Sequence, residues 1–503
     1  MWRMPRFALR VALALSLAFA SATDAHAQAW PFGDAQRGGD FWNLGPLGAK
    51  AHTGIAARPE ADASGKVSVS GDVAFLDGGQ KELVLAVVAP GGPAALAGLA
   101  PGDVIVGVGG KKFTEDESLA ALAKALVKAR ATRTIELMVE RDGKSSRADV
   151  ALLELGLAAK VPPDLEARAA AAAAARAFLA ERQQADGSFP AGLAGDIGRV
   201  VNTSLAGLAF LAGGSDLEQG DRKDELTRAL EFVLGDLEQR AGVPLNQPKI
   251  GEPNWDQSNW ALVYAALFLG ELYARTPNDR MKDALTYLAA DLARRQESSG
   301  GYAHGPGGPN ALDYVELNIV GAMALMAFGA CERSGVPVDD DAVEKLIEYL
   351  DASASAGGVG YSTGEGQQGI GNIGRTVPTW LGLALLGEDK GGFAKATKSY
   401  AKSNATAFRD GHASLMQHFF FGALGARALS PKDGQKWFAE LEREVVLAQA
   451  HDGSFQPRPF QETANLGSNG DVTMGEIWTT ASWAVMLALD VEGGGLPLLL
   501  DSK

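Results

Sequence analysis

The chain has 503 residues, with 46 Lys or Arg against 61 Asp or Glu, a formal net charge of −15 and one cysteine. That length exceeds a single ordinary hydrophobic core and points to two domains. The negative balance repels phosphate backbones and anionic lipid, which argues against nucleic-acid binding, and a lone Cys331 excludes an internal disulfide framework and a thiolate metal cluster.

Residues 1–27 read as a secretory leader. Arg3, Arg6 and Arg10 form a basic start, Val11 to Ala22 an apolar core, and Ala25-His26-Ala27 a small-x-small cleavage site. The leader carries no cysteine for a lipid anchor, so a periplasmic or secreted protein is expected. Residues 28–40 read as a linker. No later run is long and charge-free enough to span a bilayer. Asn259 to Tyr273, the nearest approach, carries Glu271 and reads as a buried core helix. No integral membrane segment is therefore expected once the leader is removed.

Residues 41–158 alternate with period two between Gly and Pro punctuation. Leu83 to Val88, Val104 to Val108 and Thr134 to Arg141 are predicted strands, and Glu117 to Ala129 a helix. This is the element order of a small α+β module or partly open barrel. The stretch Gly98-Leu-Ala-Pro-Gly-Asp-Val-Ile105 resembles the signature of bacterial PDZ domains. Pro101-Gly102 suits a tight turn, Asp103 can cap it, and Val104 and Ile105 start a buried strand. The resemblance implies strand addition by a peptide, with a glycine-rich loop holding its terminal carboxylate. The matching loop is Leu44-Gly45-Pro46-Leu47-Gly48, in which Pro46 lacks a donor. Two roles stay open for this domain: binding peptide C-termini, or docking within the chain.

From about residue 162 to 495 the helices come in pairs. Six are amphipathic and charged: Asp164 to Gln184, Arg222 to Arg240, Asp279 to Gln296, Asp339 to Ala352, Phe393 to Ser403 and Lys432 to Gln449. Six are apolar on nearly all sides: Val201 to Ala212, Asn259 to Tyr273, Leu317 to Cys331, Thr379 to Leu386, Ala413 to Ala428 and Ile477 to Leu489. Helices apolar all round are buried, whereas amphipathic ones keep a wet face. Six outer and six inner helices predict an all-α (α/α)6 toroid, the alternative being an open solenoid. Residues 496–503 form a tail.

A short motif recurs three times in this region: Gln183-x-x-x-Gly187-Ser-Phe189, Gln296-x-x-x-Gly300-Gly-Tyr302 and Gln449-x-x-x-Gly453-Ser-Phe455, with a degenerate fourth at Gly357 to Tyr361. It resembles the repeat of squalene cyclases and protein prenyltransferase β-subunits. A mechanical role is expected: Gln bonds to the next helix end, Gly permits the turn, and the aromatic plugs between layers. A leader, a PDZ-like domain and a cyclase-like toroid together resemble a group of secreted bacterial proteins of unknown function.

Chemistry is weakly signalled. The Asp-x-Asp-Asp acid of protonating terpene cyclases is absent, and Asp339-Asp340-Asp341 reads as a helix start. No protease nucleophile motif, zinc-ligand spacing or cofactor motif occurs, so neither a metal nor a cofactor is expected. The inner helices of a toroid run parallel and gather polar residues at one mouth, where their dipoles favour an anionic ligand. Tyr314, Glu316, Arg375, Asp410, His412 and Glu476 are the candidate catalytic groups there. Trp255 and Asn259, with Tyr302 and His304 of the glycine-rich Gly300 to Asn310 loop, are candidate ligand contacts.

Three functional readings follow. The leading one is an exported binding or scaffold protein. The second is a carbohydrate-active enzyme: a lyase with His412 or Tyr314 as base and Arg375 facing a uronate, or a hydrolase with Glu316 and Glu476. The third is an isoprenoid or lipid cyclase or carrier with an apolar interior.

Overall fold

The computed structural model of the chain describes residues 42–52, 59–61, 67–69, 82–114, 118–192, 194–243, 256–306, 316–363, 371–407, 414–456, 470–491 and 494–500. A β-rich PDZ-like region comes first and an all-helical region follows.

The first region contains β1 (Trp42–Asn43), β2 (Ala49–His52), β3 (Pro59–Ala61), β4 (Val67–Val69), β5 (Leu83–Val88), α1 (Pro93–Leu96), β6 (Val104–Val108), β7 (Lys111–Lys112), α2 (Ser118–Ala129), β8 (Thr134–Arg141) and β9 (Lys144–Ala151). The three predicted strands and the helix stand where the period-two pattern puts them. The main sheet runs β1-β2-β5-β6-β8-β9, with β7 against β6 and β3–β4 a separate hairpin. Leu83, Leu85, Ile105, Leu137 and Val139 face one core with Leu119, Leu122 and Leu126 of α2. Asp103 works as read. Its carboxylate accepts from Ala100 N at 2.9 Å, and Arg141 of β8 grips both of its oxygens. The Arg141 hydrogen bond is the main cause that holds the Asp103 carboxyl below its ordinary range.

The helical region contains α3 (Leu165–Arg182), α4 (Gly195–Ala212), α5 (Lys223–Arg240), α6 (Ser258–Arg275), α7 (Asp279–Arg295), α8 (Asn318–Arg333), α9 (Asp340–Ala352), the short pair β10 (Ala354–Ser355) and β11 (Gly358–Val359), α10 (Ile373–Leu385), α11 (Gly392–Ser403), α12 (Leu415–Leu429), α13 (Pro431–Ala439), α14 (Glu442–Ala448), α15 (Gly470–Met474), α16 (Glu476–Ala488) and α17 (Pro497–Leu500). Side-chain caps set several of the starts: Asp164, Asn278, Asp339, Asn372 and Ser414 each accept an N–H of the first turn. Asp339 therefore caps, as its position suggests. The apolar helices α4, α6, α8, α10, α12 and α16 pack in succession, and α16 returns to α4. Each also packs against an amphipathic neighbour.

Three boundaries differ from the sequence reading. α4 begins at Gly195, six residues before Val201: Gly195 is exposed and takes a left-handed φ of +61° that glycine permits at the entry to the helix, and Gly198 is buried against Ala191 and Ala194. α10 begins at Ile373 and carries Pro378 inside it, so Thr379 lies in the helix body. The Thr379 hydroxyl donates to Arg375 O at 2.9 Å, adding a side-chain donor on the turn that Pro378 deprives of an N–H. The last amphipathic helix is broken at Glu440 and Leu441 into α13 and α14.

The repeated motif has one mechanical form. Gln183 Nε2 donates to Gly187 O (2.9 Å) and Glu225 O (2.8 Å). Gln296 Nε2 donates to Gly300 O (3.0 Å) and Ala342 O (2.8 Å), and Gln449 Nε2 to Gly453 O (3.3 Å) and Ala171 O (3.0 Å). Each glycine has φ near +90°, against a carbonyl of the neighbouring outer helix. Phe189, Tyr302 and Phe455 are fully buried. The degenerate copy keeps the turn at Gly357, but its plug is Val359 rather than Tyr361. Val359 N donates to Thr376 Oγ1 as Phe189 N does to Thr203 and Phe455 N to Thr480. Ser353 caps the preceding helix where the other copies have Gln.

Candidate functional site

The Leu44–Gly48 loop lies under the helical region. Leu44 and Leu47 are fully buried, and Gly45 and Gly48 take left-handed φ of +59° and +66°. Its four N–H groups are taken by oxygens of its own surroundings: Leu44 N donates to Ala49 O, Leu47 N to Leu44 O, Gly48 N to Gly45 O, and Gly45 N to Asn43 Oδ1. The adjoining strand β2 has a neighbour on both edges, β5 on one and β1 on the other, with Trp42 opposite Ala51 and Asn43 opposite Lys50.

What covers the loop is α14 and the turn after it. Val446 and Leu447 are buried in the PDZ-like core. A side chain on Gly45 would crowd Val446 O and Leu447 Cα, and one on Gly48 would run into His451. α14 also packs against α2. Asn43 Nδ2 donates to Ala448 O at 2.9 Å, across 405 positions of sequence. The His451 imidazole reaches from Gly48 to Gly92, and burial lowers its pKa.

A second layer of polar groups lies beside this contact. Glu476, at the start of α16, is buried; Gln456 Nε2 donates to its Oε2 at 3.0 Å, and Arg182 stands 3.9 Å from Oε1. Desolvation raises the Glu476 pKa, against the pull of Gln456, Arg182 and the buried Lys50 of β2. Asp471 of α15 is buried too. It accepts from Ser414 Oγ (2.6 Å), Met416 N (2.9 Å) and Trp478 Nε1 (2.9 Å), so it anchors the start of α12 from a neighbouring element. A small cavity of about 50 Å³ opens at the seam of the two regions. Trp42 and Asn43 line it from the PDZ-like side, and Met416, Phe419, Gln456, Asp471 and Trp483 from the helical side.

The other candidates at the helix starts keep separate local partners. Asn259 Nδ2 donates to Ala303 O at 2.9 Å, matching Asn202 on Pro190 O and Asn318 on Gly360 O; each binds the carbonyl just after a motif plug. Tyr302 OH donates to Leu292 O. His304 Nδ1 accepts from Trp260 Nε1 at 2.9 Å, which leaves the neutral ring's proton on Nε2, and burial brings its pKa down to about 4. Glu316 accepts from Ser299 Oγ at 2.7 Å and bonds Tyr349. Arg375 is buried, donates from Nε to Val359 O at 3.2 Å and lies 5.6 Å from the centre of the Tyr361 ring, and burial lowers its pKa to about 10. Glu316 and Glu476, the hydrolase pair, thus have different partner sets. Trp255, Tyr314, Asp410 and His412 lie outside the described residues. Among the apolar helices, Tyr264 meets Trp478 edge-on at 5.6 Å and bonds Gln417, whose Nε2 lies 3.7 Å from Met323 Sδ. Cys331 is a buried core residue whose thiol pKa is pushed up to about 12 by desolvation. Among the described residues no group of three His, Cys, Asp or Glu side chains could hold a metal ion, and no helix is long and apolar enough to cross a membrane.

Sequence reasoning missed Trp42, Lys50, His451, Gln456 and Asp471. Gln456 directly follows a motif plug and was within reach of the pattern; Asp471 follows no pattern at all.

Comparison with known proteins agrees with the division of the chain. A PDZ domain model matches residues 54–152, beginning after the Leu44–Gly48 loop. No curated protein matches the chain. Among solved structures, a protein from Actinoplanes is similar at 16% identity and a TM-score of 0.38, over 64% of this chain and 98% of that one. The model of DUF6288, a domain of unknown function, matches residues 170–489, more than half of the chain. The protein therefore belongs to the DUF6288 family and carries a PDZ domain ahead of the helical region that defines it.

Proposed function

We propose that this is an exported binding or scaffold protein whose PDZ domain is docked on its own helical region, which closes into an (α/α)6 toroid. The carrying observation is the burial of Gly45 and Gly48 beneath Val446 to His451. PDZ domains generally take peptide termini at this loop and the strand after it. Here the loop's N–H groups are spent within the chain, the strand's free edge is held by β1, and Val446 and Leu447 supply the apolar side chains a peptide would bring. The cyclic packing of α4, α6, α8, α10, α12 and α16 supports a toroid over an open solenoid. Export rests on the leader, and a mature N-terminus at Gln28 would check it.

Hydrogen exchange tests the docking. In the full chain, the amides of residues 44–51 should be strongly protected, and Leu447→Asp should release them while most of α4, α6 and α8 stays protected. The same variant should gain affinity for peptides with a free C-terminus. Wild-type protein that binds such peptides with no change in exchange at residues 44–51 or 446–451 would overturn the docked reading.

A further inference from the structure

The seam cavity has a chemistry of its own. Gln456 is 6% exposed, and its amide orientation is fixed by its neighbours. Nε2 donates to Glu476 Oε2 and Ser454 Oγ, both at 3.0 Å. Ser454 Oγ donates its own proton to Asp452 Oδ1 at 2.7 Å, so toward Gln456 it accepts; the NH₂ end must face it and the carbonyl must turn the other way. That carbonyl oxygen, Oε1, is buried and has no hydrogen-bond partner among the described residues, although Gln456 lines the cavity. A buried acceptor left without a donor costs stability. Donation from the NH₂ end makes the carbonyl a stronger acceptor.

The remaining walls define what would satisfy it. Trp42, Phe419 and Trp483 offer aromatic surface, Met416 a polarizable thioether, and Asp471 the one acidic side chain of the lining, its pKa raised by burial. Aromatic faces and an amide oxygen, with no cationic side chain in the lining, form an environment that stabilises an organic cation. An anion would meet Asp471 and an acceptor oxygen, and a purely apolar ligand would leave Oε1 unsatisfied. The volume of about 50 Å³ suits a small head group rather than a whole sugar or an isoprenoid.

We infer that the seam between the PDZ domain and the helical region binds a primary alkylammonium group, with Gln456 Oε1 accepting one of its N–H bonds and the Trp42, Phe419 and Trp483 rings enclosing its alkyl stem. This rests on the docked arrangement, since Trp42 reaches the cavity only from the PDZ side. A free amine and the end of a lysine side chain share this chemistry.

The test titrates the full chain with n-butylammonium chloride at constant ionic strength, with n-butanol as the neutral analogue and Nα-acetyl-lysine methylamide as the peptide form. Tryptophan fluorescence and melting temperature report binding. Butylammonium should give a saturable change and a raised melting temperature, with butanol, whose hydroxyl can still donate but carries no charge, at least about tenfold weaker, as expected when a charged donor is replaced by a neutral one. Saturation by both amines would leave either source open to the site, whereas butylammonium alone would restrict it to free amines. Gln456→Met should weaken butylammonium by about tenfold or more. Trp42→Leu, which leaves the Gln456–Glu476 contact untouched, should weaken it independently. Equal binding of butanol, or no saturation in protein whose residues 44–51 remain protected from exchange, overturns the inference while leaving the docking intact. Loss of that protection in the wild type would instead remove the docking on which it rests.

Discussion

The first and third copies of the repeat share a frame and differ in the charge set beside it. In both, a glutamine ties the turn to an outer helix, a glycine with φ of +87° makes it, and a threonine of the inner helix accepts the plug's N–H. Four residues before that threonine stands Arg199 in the first copy and Glu476 in the third. Arg199 is partly exposed and pairs with Asp186 at 2.5 Å. Glu476 is buried beside the PDZ domain, in the field of Lys50 and Arg182. The frame is thus held by side-chain-to-backbone bonds that tolerate a change of charge beside them. That freedom lets one copy face water and another face a docked domain.

The largest effect should come from breaking the frame itself. Gly453→Val puts a β-branched residue at positive φ against Ala174 O and should cost about 3 kcal/mol or more, read as a fall in the urea midpoint. Gln449→Leu should follow, at about 2–3 kcal/mol, because two carbonyls lose their shared donor in a buried setting. Gln183→Leu, at a partly exposed turn, should cost less than Gln449→Leu. Equal losses would mean that burial does not separate the copies.

The finest test is the sign of the pH dependence. Asp186 is held below its ordinary range; burial acts in the opposite direction but is outweighed by the Ser188 hydrogen bonds and Arg199. Its contribution is present above a pH of about 4 and is lost on further acidification. Desolvation raises Glu476 above the ordinary carboxylate value of about 4.5. Its contribution is full below that value and is lost as pH rises through its folded pKa. Denaturation midpoints measured against pH should therefore show Asp186→Asn flattening the acid limb and Glu476→Gln flattening the limb above pH 4.5. Flattening of the same limb by both would erase the distinction.

The parts of this molecule that depend on local pattern were legible in the sequence. Strands Leu83–Val88, Val104–Val108 and Thr134–Arg141 alternate, the Gly98–Ile105 turn has its own residues, and the motif glutamines repeat. The starts of α4 and α10 were not: Gly195 reads as a break and instead opens α4 with a left-handed φ of +61°, and Pro378 sits inside a helix whose residues are all buried. The seam was hidden for a different reason. Val446 and Leu447 look like the apolar stripe of an ordinary outer helix, and nothing local says that their partner lies about 400 residues earlier. Of the helix-start candidates, Asn259, Tyr302 and His304 carry polar atoms that the frame itself engages. Sequence cannot distinguish such a structural bond from a ligand contact, since both favour the same residue types.

The break at Glu440 and Leu441 lets a single stretch of chain serve two assemblies. Gln449 joins the last outer segment to Ala171 of the first outer helix, while Val446 and Leu447 complete the PDZ core. On the ribosome the PDZ domain is made first, yet part of its interior is made more than 280 residues after its last strand ends at Ala151. Its core can be completed only once Val446 and Leu447 have been made. A domain made ahead of the helical region therefore finishes its core only after most of that region exists, and its completion reports that α14 is in place.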